Sequence, residues 1–313
     1  MISLRYHVIS IGAVFLALAL GVVLGSTTLS DSLLAGLSGQ QARLGERVSD
    51  LQARQAGLDA KLSDADRFAT GVGPLAVRGL LTQRTITLIS TPDAGQSDQD
   101  AVRTLLEAAG ARVTGQLRLT DAFSDPNRAD QLRDIVTRLI PAGAQLPVAS
   151  DPGTLSGGLL GELLLVDRNT NAAQATPDER SAALTALASA GFVRSPGQLE
   201  PAQLALVLTG GAQTGATPAD RATMLARFAT QLRRSGAGAV LAGADGSATG
   251  SGPVGVVRAD SAARTVLSTV DDVDTAAGRI VTVLAVREQL AGKAGAYGTA
   301  GNATAATPQP ANS

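Results

Sequence analysis

The sequence predicts an α/β fold: a mainly parallel sheet with helices on both faces, preceded by an N-terminal transmembrane helix and a short coiled-coil stalk. Three observations carry this reading. Short β-rich runs alternate with helical stretches through the middle of the chain, an uncharged apolar run lies near the start, and leucine recurs every seven residues just after it. Strands separated by helices favour parallel pairing with both sheet faces covered.

The apolar run extends from Val8 to Leu24, VISIGAVFLALALGVVL. Its 17 residues, at about 1.5 Å each, reach about 26 Å, close to the lower limit for a bilayer core. Ile2, Leu4 and Gly25 can lengthen it, and Tyr6 suits the interface. A cleaved signal peptide would have an apolar region of about 7–15 residues and a small-residue cleavage site beyond it. Here the run is longer and Ala17-Leu18-Ala19 lies inside it, so a retained anchor is expected. Arg5 precedes the run and the first positive charge after it is Arg43, which favours a cytoplasmic N-terminus and an extracytoplasmic bulk in a single-pass protein of the cell membrane.

Leu37, Leu44, Leu51 and Leu58 repeat at heptad spacing, with Val48 and Leu62 at the second apolar position and mixed charges between. That is a coiled-coil pattern expected to self-associate, because anchoring raises the effective concentration of neighbouring copies. Gln41 and Gln55 interrupt the seam, and Gly45 and Gly57 each weaken the helix by about 1 kcal/mol. The other reading is an amphipathic helix packed on its own domain. Gly71-Val72-Gly73-Pro74 is expected to break this helix.

Beyond it, Thr85–Ser90, residues 112–119 and residues 204–208 read as strands, the last ending in Thr209-Gly210-Gly211. Residues 239–241 and 254–257 read as further short strands. Residues 99–109, 127–140, 154–166 and 276–290 read as helices. Thr176-Pro177-Asp178-Glu179 and Thr217-Pro218-Ala219-Asp220 are helix starts, each with a cap, a proline and acidic residues against the dipole. From Gly292 onward the composition predicts disorder. The expected organisation is an anchor over residues 1–28, a stalk over 29–70, an extracytoplasmic α/β domain over 71–291 and a disordered tail over 292–313.

The missing residues exclude most catalytic chemistry. The chain has no cysteine, and its single histidine, His7, sits at the membrane edge. Disulfides, thiolate sites, cysteine nucleophiles and histidine general bases are therefore excluded from the soluble part. Met1 and Met224 cannot form a methionine cluster. A net charge of −1 gives no field for gathering nucleic acid. Arginine carries nearly all the positive charge, with lysine only at Lys61 and Lys293; with the abundant alanine and glycine, this is the usage of a high-GC bacterium. No enzyme, cofactor, catalytic residue or metal ligand is expected.

Four segments resemble sites and carry milder readings. The run from Gly243 to Gly252 follows a strand, but a second strand is expected after it and no lysine is near, so a flexible loop is favoured over a phosphate cradle. Asp271, Asp272 and Asp274 could hold a hard cation, although Asp272 or Asp274 capping the last helix is the favoured role. Thr209-Gly210-Gly211 could line a ligand crevice at a strand end. Arg233-Arg234 reads as a solvated helix end beside Gly236.

The opening MISLRYHVISIGAVFLALALGVVLGS, the Gly71-Val72-Gly73-Pro74 break, and STVDDVDTAAGRIVTVLAVREQLAGKAGAYG at residues 268–298 together resemble the actinobacterial copper transporter family, the mycobacterial copper transport protein B family. The resemblance spans the chain apart from the tail. It implies an envelope protein of copper homeostasis, with copper itself and an envelope protein partner following from the resemblance alone. Related corynebacterial proteins imply an alternative, a non-catalytic scaffold for septal peptidoglycan remodelling. The donor chemistry favours an indirect copper role, because copper(I) seeks thiolate and thioether ligands and copper(II) seeks imidazole.

Overall fold

A computed structural model describes residues 4–195 and 197–309, with the side chains of residues 26–40 and 42 left aside. The chain divides into two compact units, residues 1–65 and residues 66–313.

In the first unit the backbone is helical throughout the described residues and belongs to helix α1, Leu4–Ala76. Arg5–Gly25 within it is long and apolar enough to cross a membrane, as the uncharged run predicts. Downstream, Leu44, Leu51 and Leu58 are each about 60% exposed, at 60%, 63% and 60%. Leu37 lies outside the described side chains.

The second unit begins at Asp66, inside the expected stalk. The expected break at residues 71–74 does not occur, since α1 runs through Pro74 to Ala76. A proline removes one backbone donor, and here the loss falls in the last turn. That turn is held by the Val77 amide donating to the Gly73 carbonyl (3.1 Å) and by burial of Val77 itself.

The seven strands are β1 (Thr85–Ser90), β2 (Arg112–Leu119), β3 (Val193–Arg194), β4 (Leu204–Thr209), β5 (Gly238–Gly243), β6 (Ser268–Val270) and β7 (Ala296–Tyr297). They form one open sheet in the order β3-β2-β1-β4-β5-β6-β7, parallel except where β3 meets β2. The helices after α1 are α2 (Gln96–Ala108), α3 (Ala129–Arg138), α4 (Pro152–Leu164), α5 (Pro177–Ser189), α6 (Pro218–Ser235), α7 (Pro253–Ala259) and α8 (Ala276–Leu290). Period-two alternation divides the core into two layers. On β4, Leu204, Leu206 and Leu208 pack with α2 and α8, while Ala205 and Val207 face the layer of α3 to α7. This is the α/β architecture with both faces covered that the strand–helix alternation predicts.

Helix α4 meets α6 along Gly153, Gly157 and Gly161. A Cβ on Gly157 would lie 2.6 Å from the Phe228 carbonyl oxygen, so the absence of a side chain lets the two backbones approach. The helix start expected at Thr176 forms, and does so as a capping box, with Glu179 N donating to Thr176 Oγ1 and Thr176 N to Glu179 Oε2; the start expected at Thr217 also forms, but Thr217 makes no side-chain cap bond.

Two further expectations are overturned. Residues 254–257 are helical, within α7, rather than a strand. Their valines suit either state by local preference, but Pro253 opens a helix, and Val254 and Val257 reach the core one turn apart. Of the tail expected to be disordered, residues 296–305 are ordered: β7 pairs with β6, and Thr304 N donates to the Ala296 carbonyl at 2.8 Å; residues 310–313 lie outside the described residues. Composition argued from the low apolar content of the tail alone, whereas its order derives from an edge strand and buried polar partners supplied by the rest of the unit.

Candidate functional site

In a doubly wound sheet, ligands bind outside the carboxyl ends of the strands where the order reverses. Here the chain moves outward from β1 to β2 and β3, then returns to place β4 beside β1, so the crevice falls between Ser90-Thr91 and Thr209-Gly210. Loops of the same chain fill it. Thr91 N donates to the Leu208 carbonyl (2.9 Å), Thr91 Oγ1 donates to Asp93 Oδ1 (2.5 Å) and Gln213 Nε2 donates to Asp93 Oδ2 (2.8 Å). A Cβ on Gly210 would lie 2.5 Å from the Asp93 carbonyl oxygen, and one on Gly211 2.5 Å from that of Asp245. The role of Thr209-Gly210-Gly211 is thus to admit two acidic loops, whose carboxylates repel a phosphate.

The glycine-rich run after β5 leads into α7, not into the expected strand. It still lacks a lysine, and the helix it enters is only seven residues long. Arg234 is exposed at the end of α6, in line with the solvated reading, whereas Arg233 is half-buried and burial pulls its guanidinium pKa below the ordinary value.

The three aspartates after β6 go to different surroundings. Asp271 forms a buried ion pair with Arg258 of α7, Nη1 to Oδ2 at 2.5 Å, with both side chains 3% exposed. Its other oxygen accepts from the amides of Thr299 (2.8 Å) and Ala300 (3.2 Å). Arg258 also donates to Thr269 Oγ1, Asn302 Oδ1 and the Tyr297 carbonyl. One guanidinium therefore ties α7, β6, β7 and the tail together. The signal for it was a single arginine in the apolar run PVGVVRA, since a charge on a buried face requires an acid partner.

Asp272 is buried, and desolvation, followed by the charges of Asp271 and Asp274, raises its pKa to about 6. Asp274 Oδ1 accepts from the Asp245 amide at 3.2 Å. Neither Asp272 nor Asp274 caps α8, contrary to expectation. Thr275 does so, its Oγ1 accepting from Gly278 N at 2.9 Å, and Asp66 of α1 accepts from Ala276 N at 2.6 Å. Sequence proximity to the helix start pointed to the aspartates, but Thr275 occupies the N-cap, with extended backbone.

Among the described residues no group of three or more His, Cys, Asp or Glu side chains is placed to hold a metal ion. Met224 is 8% exposed and belongs to the core beneath α6.

Comparison with known proteins bears on the whole chain. A family described as "Copper transport outer membrane protein, MctB" matches residues 1–308. The protein named Copper transporter MctB of Mycobacterium tuberculosis (strain ATCC 25618 / H37Rv) is 38% identical over 312 residues, covering 98% of this chain and 99% of its own length. The protein of the same name from Mycobacterium leprae (strain TN) is 40% identical over 318 residues, covering 98% and 99% respectively. These names speak of copper transport and not of septal remodelling. With an N-terminal apolar helix, an open parallel sheet and a match that runs from the anchor to the ordered tail, this chain belongs to the MctB family.

Proposed function

We propose that this chain is a membrane-anchored, non-catalytic component of copper handling in the cell envelope, acting through protein partners rather than through a copper centre of its own. The copper-related role rests on the family and on the names of its relatives. The indirect mode rests on one observation: the soft and imidazole donors are confined to His7 at the membrane edge, Met1, and Met224 in the core. Carboxylates remain, and they prefer hard cations. The sheet is open, with β3 and β7 at its edges, so a single apolar helix rather than a closed barrel holds the protein to the membrane.

In this reading the N-terminus is cytoplasmic and the α/β unit extracytoplasmic. The exposed seam of Leu44, Leu51 and Leu58 joins copies of the chain and presents the α/β units to an envelope partner. A titration of the purified full-length protein with copper(I) under reducing conditions, competed against a chelator, tests the indirect mode. No stoichiometric submicromolar binding is expected. Such binding, lost on Met224→Leu, would overturn the proposal and make the copper role direct.

A further inference from the structure

We propose that the cleft at the carboxyl ends of β1 and β2 binds a phosphate group, held between the guanidinium groups of Arg118 and Arg194. The cleft has a volume of about 670 Å³, and its wall includes Ser90, Thr91, Gln96 and Gln99 besides the two arginines. It lies beside the filled crevice between β1 and β4 and shares Ser90 and Thr91 with it, while Gln96 and Gln99 of α2 and the two arginines form the side away from β4.

Arg118 and Arg194 are direct partners in the antiparallel β2–β3 pair. Their neighbours Leu119 and Val193, also paired, are buried in the core layer of α3 to α7. Strand alternation therefore puts both arginines on the opposite face, side by side at the cleft. Like charges directly across a strand pair repel, and among the described residues neither guanidinium has a carboxylate oxygen within 4.0 Å. By contrast, Arg112 at the other end of β2 is paired with Glu200 at 2.6 Å. Arg118 is oriented by a hydrogen bond from Nη2 to Gln96 Oε1 (2.8 Å), which turns it toward the first turn of α2. The wall carries one carboxylate, Asp121. Two cations against one anion leave the cleft net positive, and the forked guanidinium geometry matches phosphate oxygens.

The test uses the full-length protein in nanodiscs of neutral lipid, titrated by calorimetry with glycerol phosphate, and separately presented with vesicles of phosphatidylglycerol or of phosphatidylcholine. Saturable binding is expected, weakened about tenfold or more in Arg118→Gln and in Arg194→Gln, since each removes a charge-assisted contact, and unchanged in Arg112→Gln. Arginine-dependent binding of free glycerol phosphate supports a soluble phosphate ester. Arginine-dependent binding confined to phosphatidylglycerol vesicles supports a lipid headgroup. Both variants should keep a melting temperature at or above that of the parent in phosphate-free buffer, because each relieves the repulsion; this separates lost binding from lost folding. No saturable binding to either probe, or binding indifferent to both substitutions, overturns the proposal.

Discussion

Burying a carboxyl group favours its protonated form, and Asp272 shows the consequence. Its pKa in the folded chain is about 6, against an ordinary 3.8. The folded chain holds this proton more tightly than the unfolded one, so its contribution to stability is full below about pH 4, falls as pH rises to about 6, and is flat above. Asp272→Asn should remove that decline and raise stability at pH 7 by up to about 3 kcal/mol. Urea denaturation of parent and variant at pH 4 and pH 7 measures the difference. The burial of its neighbour Asp271 is compensated by an ion pair with Arg258 and by two tail amides. Arg258→Ala should cost about 3–5 kcal/mol by leaving the buried Asp271 carboxylate without its ion-pair partner. The amides of Thr299 and Ala300 should then exchange quickly with deuterium. Nothing in the run Asp271-Asp272-Val273-Asp274 distinguishes these aspartates, since their partners come from α7, the tail and the loop after β5.

At the scale of the element, glycine has opposite meanings in different helices. A Cβ on Gly157 would press on Phe228 and Gln231 of α6, whereas one on Gly45 would meet nothing within 4 Å. Gly157→Ala should destabilise the α/β unit by about 1–3 kcal/mol, because the α4–α6 contact must open. Gly45→Ala should stabilise its helix by about 0.5–1 kcal/mol through lost chain entropy. Thermal melts followed by circular dichroism separate the two. The heptad seam belongs to this scale as well. Replacing Leu44 and Leu51 with Asp should convert a self-associating chain into a monomer, read by light scattering in detergent; equal masses for parent and variant would rule out the seam as an interface. The strongest sequence signals were those with local causes. The helix start at Thr176 and the buried strand Thr85–Ser90 form at the predicted residues. Helix α7 was misread because four residues of valine and glycine carry no decisive period.

For the whole molecule, the proposed topology puts the two ends of the apolar helix in different compartments. The absence of cysteine makes the proposed topology directly measurable. A Ser181→Cys variant should react with a membrane-impermeant maleimide in intact spheroplasts, and Ser3→Cys only after permeabilisation. Labelling in the reverse order would invert the topology.

The sequence by itself determined the apolar anchor, the alternation that makes a parallel α/β sheet, the family, and the poverty of soft metal donors. Each of these depends on composition or on spacing over a few residues, and so survives without knowledge of distant contacts. Only the tertiary structure decided that the switch-point crevice is filled by Asp93 and Asp245, that the tail closes the sheet as β7, and that Arg118 and Arg194 stand opposite one another. Those outcomes join residues many positions apart, through a sheet order that local propensity does not encode.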